Sequence, residues 1–367
     1  MSDSILDQVI TSKQKEAMFE FDPIEIVSKL FSALSDREKE IIARRHGLNN
    51  FPKATLEEIG KQHKVTRERV RQVENASLKK IKDSFDREII RAVEHLAQAI
   101  LAEYGGVMTE DRLIGQLLQV PGESEHNRSA VRFLLNQLLT DKFQTIKETD
   151  DNHRVWANLD ASWDHFKQNL SQVEKMVATH SEPLKLNDLI SKVNAAEEIF
   201  WTDLNDELLL NILHVSKKLA KNIYNEWGPA DWTTSKPKRM NDKIYMVLKK
   251  ADKPLHFTEI AKAINEAKFD NRIAYPATIH NELILDNKFV LVGRGIYALK
   301  EWGYKPGVVT DVIESIVREK GRPMTKDEII DEVLKNRMVK KSTVVLALMN
   351  KNRFTKNPDK TYSIKQI

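Results

Sequence analysis

The residues best placed to do chemistry lie between positions 55 and 85. The string VTRERVRQVENASLKKIK (65–82) puts Arg67, Glu68, Arg69, Arg71 and Gln72 on the first turns of a helix, with Lys79 and Lys80 further along and Lys61 and Lys64 just before it. Arg pairs with guanine O6 and N7, Gln with adenine, and Glu accepts from cytosine N4, so this set suits base edges in a major groove. From 61 to 82 there are eight basic residues (Lys61, Lys64, Arg67, Arg69, Arg71, Lys79, Lys80, Lys82) against Glu68 and Glu74. The lysines supply phosphate attraction. These nine residues (Lys61, Lys64, Arg67, Glu68, Arg69, Arg71, Gln72, Lys79 and Lys80) are the candidate DNA-binding set.

The elements that must hold them are equally legible. Thr55 with Glu58 reads as a capping box that starts one helix, and Gly60 leaves room for a second helix to cross it closely. Thr66 is an N-cap for that second helix, and Val65 with Val70 is spaced as a hydrophobic staple. The apolar stripe Val70, Val73, Ser77 or Leu78, Ile81 and Phe85 turns the charged residues outward. A helix pair of this kind presents the N-terminal turns of its second helix to DNA.

Residues 23–85 resemble region 4 of sigma-70-type bacterial sigma factors, most closely in VTRERVRQVE. The upstream VSKLFSALSDREKEIIARRHGL (27–48) resembles the family's preceding helix pair, with Arg37 and Glu38 at its Arg-Glu step and His46 where an aromatic residue is usual. The resemblance implies reading of a promoter element and, through 27–48, contact with the β flap of core RNA polymerase. The family's region 2, which clamps polymerase and melts DNA, has no counterpart in this sequence. This chain is therefore not expected to open a promoter alone.

The rest of the chain repeats. GVMTEDRLIGQL (106–117), EPLKLNDLISKV (182–193), KPLHFTEIAKAI (253–264) and RPMTKDEIIDEV (322–333) align on their apolar positions, with starts 76, 71 and 69 residues apart. A second helix and a strand-like ending follow in three copies, most clearly as FVLVGRGIYAL (289–299), a hairpin signal around Gly293 and Gly295. In the second copy the ending expected is the weaker ADWTT (230–234). Helices closed by a short hairpin make winged helices, and the third copy (240–302) resembles the HARE-type helix-turn-helix domain. That resemblance implies contact with DNA or polymerase.

The fold expected is mainly α with small β wings (α+β). An N-terminal extension (1–22) precedes a region-4-like helix-turn-helix (23–85) and a semi-rigid helical linker (86–104). Winged helices follow at 105–160, 161–235, 236–303 (HARE-type) and 304–367, with TTSKPKRMND (233–242) as a flexible boundary. The tryptophans fall near element ends and read as core or cap residues.

Composition limits the alternatives. The 367 residues contain no Cys, which removes disulfides, thiolate nucleophiles and cysteine metal sites. No Walker loop, nucleophile elbow, dinucleotide fingerprint or His-x-x-x-His pair occurs, so no catalytic residue, metal or cofactor is expected. No small-molecule substrate is evident. No apolar run reaches the ~18 residues of a membrane span, and a cytoplasmic, nucleoid-associated protein is expected. The net charge of +4 conceals asymmetry: 18 basic and 17 acidic residues in 1–100, 13 and 21 in 101–235, and 27 and 16 in 236–367. The reading is a non-enzymatic, DNA-binding transcription protein. Its rivals are a delta-like polymerase accessory subunit and, further off, an interaction module of a restriction-modification system.

Overall fold

The computed structural model describes residues 21–84, 87–196 and 205–365. Residues 1–20, Phe85 and Trp201 lie outside the described residues, as does the side chain of Ile89. The chain divides into two compact units, residues 1–220 and 221–367.

The first unit opens with α1 (Pro23–Phe31) and α2 (Asp36–His46). Asp22 caps α1 by accepting from the amides of Ile24 and Glu25, and Ser35 with Glu38 forms a capping box on α2. Then come α3 (Leu56–His63) and α4 (Arg67–Ser84). Ile41, Ile59 and Val70 form a small core between α2, α3 and α4, with Val65 and Val73 at its edge.

Helix α5 (Arg87–Glu103) corrects the expected linker at 86–104. It is the first helix of a module that continues with β1 (Val107–Thr109), α6 (Glu110–Leu117), α7 (Glu125–Phe133) extended by a π-helical turn (Leu134–Leu138), β2 (Gln144–Ile146) and β3 (Val155–Ala157). The repeated string begins at the second element of each module, and the first helix diverges in sequence because only its buried face is constrained. In α5 that face is Ile90, Val93, Leu96, Ala97, Ile100 and Leu101. The sheet order is β1-β3-β2, antiparallel, with Trp156 opposite Met108. Trp156 is fully buried and its Nε1 donates to Glu110, so it is a core residue as expected.

The same order recurs. Module 2 runs α8 (Trp163–Ala178), β4 (Leu184–Lys185), α9 (Leu186–Asn194), α10 (Asp206–Val215), β5 (Leu219–Lys221) and β6 (Glu226–Pro229). Its strands end before the expected ADWTT, which forms a turn instead. The cause is local: Asn222 Oδ1 accepts from the amides of Tyr224 and Glu226, and Asn225 takes the left-handed conformation at φ 59°, so the chain reverses earlier. Module 3 comprises α11 (Met240–Ala251), β7 (Leu255–His256), α12 (Phe257–Ala267), α13 (Pro276–Leu285), β8 (Phe289–Gly293) and β9 (Ile296–Leu299). Module 4 comprises α14 (Val309–Lys320), β10 (Met324–Thr325), α15 (Lys326–Asn336), α16 (Lys341–Leu348), β11 (Phe354–Lys356) and β12 (Thr361–Ile364). The sheets of modules 3 and 4 have the orders β7-β9-β8 and β10-β12-β11. The architecture is thus mainly α with small β wings.

Two expectations of independence fail. The segment 233–242 is held rather than loose: Asp242 accepts from the amides of Lys238 and Arg239, Lys236 donates its amide to Trp232, and Ser235 is buried. The helix-turn-helix and module 1 are not separate beads either. One continuous core takes Val27, Leu30, Phe31, Leu34, Ile42 and Leu48 from the former and Ala130, Val131, Phe133 and Trp156 from the latter. Phe133 packs edge-on to Phe31 and to His46, with ring centroids 6.2 and 5.1 Å apart. The amphipathic face of α1 has to be buried against something, and α7 covers it.

Candidate nucleic-acid interface

The turn joining α3 to α4 is fixed by its own sequence. The Glu58 carboxylate accepts from the Thr55 amide at 2.7 Å, while Thr55 Oγ1 accepts from the Glu58 amide at 3.3 Å. Lys64 ends α3 in the left-handed conformation at φ 55°, and the Val65 amide donates back to the Gly60 carbonyl at 2.9 Å. A Cβ on Gly60 would lie 2.7 Å from the Val65 carbonyl oxygen, so only glycine permits this approach. Thr66 Oγ1 then accepts from the Arg69 amide at 3.2 Å and starts α4.

Helix α4 buries Val70, Ser77 and Ile81 and leaves Arg67, Glu68, Arg69, Arg71 and Gln72 exposed on its first two turns. These five lie together, and four of them are already organised. Arg71 donates from Nε and Nη2 to the two Glu68 oxygens at 2.9 and 2.7 Å, and Arg69 donates to Gln72 at 3.2 Å. The Arg71 guanidinium holds the Glu68 carboxyl below its ordinary range, and Glu68 in turn raises Arg71. A planar, fully charged guanidinium is thereby held at the helix surface in a fixed orientation.

The lysines divide. Lys64 and Lys79 are exposed and, among the described residues, form no ion pair. Lys61 pairs with Glu57 at 2.9 Å within α3. Lys80 reaches the N-terminus of α2, where its Nζ lies 2.6 Å from Glu38. Hydrogen bonding from Lys80, and from the Ser35 amide, lowers the Glu38 carboxyl to about 2. Lys80 thus acts first as a strut between α4 and α2.

A second strut is absent from the sequence reading. Glu74, counted there only as a charge, sits half-buried with Arg45 and His46 each 3.4 Å from its Oε1. Burial alone would raise its carboxyl, but His46 and Arg45 together hold it below the ordinary value. Both struts join residues 28 to 42 positions apart, beyond the reach of any local spacing rule. Together they fix the angle at which α4 presents its arginines.

The described residues contain no cluster of His, Asp and Glu able to hold a metal ion, and no helix is long and apolar enough to cross a membrane. Residues 30–83 match the family model for sigma-70 region 4. The RNA polymerase sigma factor SigA of Listeria monocytogenes is 38% identical over 82 residues, 22% of each chain. SigA of Lactococcus lactis subsp. cremoris is 43% identical over 58 residues, 16% of each chain. The chain spans between 16 and 22% of the length of these curated relatives. The capping residues, the close-packing glycine and the arginine-bearing turns of α4 all fall inside the matched segment: residues 30–83 form a sigma-70 region 4 domain, at the head of a chain that lies mostly outside the match.

Proposed function

We propose that this protein is a DNA-binding transcription protein that reads a promoter-like element through α4 and acts in initiation or its regulation, as a binding protein and not an enzyme. The observation that carries the reading is the exposed, pre-paired set Arg67, Glu68, Arg69, Arg71 and Gln72 on the first turns of a helix locked by α3. Base contacts fall to Arg71 and Gln72 by their position and chemistry. Lys64 and Lys79 supply phosphate contacts. Action at the nucleoid follows from this reading.

Polymerase contact is the second part of the proposal, supported by the sigma region 4 match. The structure constrains its route. The apolar residues of α1 and α2 that the resemblance assigns to the β flap are buried against α7, so a flap helix can reach them only if α7 leaves. A delta-like accessory role would therefore use another surface. The HARE-type identity of module 3 rests on its sequence motifs and on the α-β-α-α-β-β order.

The test is a duplex-binding titration of Arg71→Ala at fixed salt. The variant is expected to lose ~1–3 kcal/mol on its best site and to discriminate less between bases at one position. Unchanged affinity and preference would refute the assignment.

A further inference from the structure

The third helix and the hairpin occupy the same place in the element order of each module, so the four modules can be compared there. In module 1, α7 is buried against α1, and its Arg128 and Arg132 are neutralised by Asp111 at 3.0 Å and Glu110 at 3.2 Å. In module 2, α10 docks on module 1: Asn211 Nδ2 donates to the Tyr104 carbonyl at 2.9 Å, and Glu207 pairs with Arg112. In module 3, α13 carries no Lys or Arg and exposes Ile284 and Leu285. Module 4 differs from all three. Its segment 340–365 holds seven basic residues and one acidic residue, Asp359. Arg353 is taken by Asp311. Lys340 and Lys341 at the start of α16, and Lys351, Lys356, Lys360 and Lys365 along the hairpin, are exposed and, among the described residues, form no ion pair.

Two further features make this an organised surface. The N-cap of α16, Lys340, offers no side-chain hydrogen bond to the first turn, whereas Ser124 caps α7 and Asn205 caps α10. A helix start without a side-chain cap, beside Lys340 and Lys341, suits an anion. The approach to α16 is also pinned. Arg337, 4% exposed, donates to the carbonyls of Leu291 and Gly307, and the Met338 amide donates to Val292 at 2.9 Å. The Met338 carbonyl lies 2.7 Å from where a Gly293 Cβ would stand, so the module 3 hairpin adjoins the start of α16. Arg294, exposed at the tip of that hairpin, extends the cationic run.

We propose that module 4, with Arg294 of module 3, is a second nucleic-acid site that binds the phosphate backbone of double-stranded DNA without regard to sequence. Lysines are point charges suited to single phosphates, and the set contains no arginine fork or amide at base-reading positions in α16. Stacking on unpaired bases is not provided for, because Phe354 is buried and Tyr362 packs on the module's core. The choice of DNA over another polyanion rests on the reading of α4 above. The region 4 domain would then supply sequence preference, and module 4 affinity for flanking duplex.

The experiment uses the full chain and the quadruple variant Lys340→Ala, Lys341→Ala, Lys356→Ala, Lys360→Ala, titrated by fluorescence anisotropy against a random-sequence duplex at several salt concentrations. Each lost phosphate contact reduces the slope of log K against log salt by about 0.9, so a slope shallower by about 3–4 and a more than ~10-fold loss of affinity at low salt are expected. All four residues are exposed, and the thermal transition should not move. The same substitutions in the Arg71→Ala background separate the two readings: a reduced slope there with no effect of Arg71→Ala alone supports the module 4 site while refuting the α4 assignment. An unchanged slope overturns the proposal. So does single-stranded DNA competing as well as duplex.

Discussion

Replacing Phe133 with Ala tests whether the region 4 domain and module 1 fold as one body. The side chain is 2% exposed at the end of α7 and meets Phe31 of α1 and His46 of α2 through its ring edges and faces. Truncation removes a whole ring from a core that collapses only partly, at a cost of about 3–5 kcal/mol. A cooperative domain has about 5–15 kcal/mol in total, so the loss is about a fifth or more of what holds the unit together. Because Leu30, Ile42 and Leu48 on one side and Leu113, Ala130 and Trp156 on the other belong to the same cluster, the loss should be felt at both ends. Native-state hydrogen exchange reads this directly. The amides of Val70 and Ile81 in α4 and of Trp156 in β3 should lose protection by similar amounts, and urea unfolding should shift as a single transition. If the α4 amides keep their protection while the β3 amide loses it, the helix-turn-helix has its own stability and the shared core is only a contact between two domains.

Two other changes probe how α4 is held. Gly60→Ala places a methyl about 0.7 Å inside ordinary contact with the Val65 carbonyl; overpacking against backbone costs about 1–3 kcal/mol, and the helix propensity of Ala returns up to about 1. A net loss of stability and weaker duplex binding are expected by calorimetry and titration, and a stabilised variant with intact binding would show that the turn has room. Glu38→Gln removes the Lys80 ion pair but keeps a capping side chain, and should cost up to about 1 kcal/mol near pH 7. Since the folded carboxyl is lowered to about 2 from an ordinary 4.5, this contribution is fully present above pH 4.5 and disappears as pH falls through 2. The difference in stability between wild type and variant should close over that window in acid titrations followed by circular dichroism.

Much of the reading machinery was legible because its causes are local. A capping box spans three residues, a staple five, and the constraint on Gly60 arises from a carbonyl five positions away. The module repeat was visible for the same reason, in strings that start a helix and bury one face of it. The first helix of module 1 was read as a helical linker, since an amphipathic face does not say which module it packs on. The wing of module 2 was misplaced because two asparagines turn the chain before the tryptophan that seemed to mark a strand.

Residue type and spacing thus determined by themselves where α3 and α4 start and which residues α4 turns outward. They could not determine what covers each apolar face. Hydrophobic burial is non-directional, so nothing in α1 names α7 as its partner, and ion pairs such as Lys80 with Glu38 join residues far apart in the chain. Only the tertiary structure decided that the α1–α2 surface is closed and that, of the four third helices, α16 alone combines exposure with an unpaired lysine or arginine among the described residues. The physical reason is that folding spends the third helices of modules 1 and 2 on internal packing, where Arg128 and Arg132 are neutralised, and leaves the lysines of the last one facing solvent.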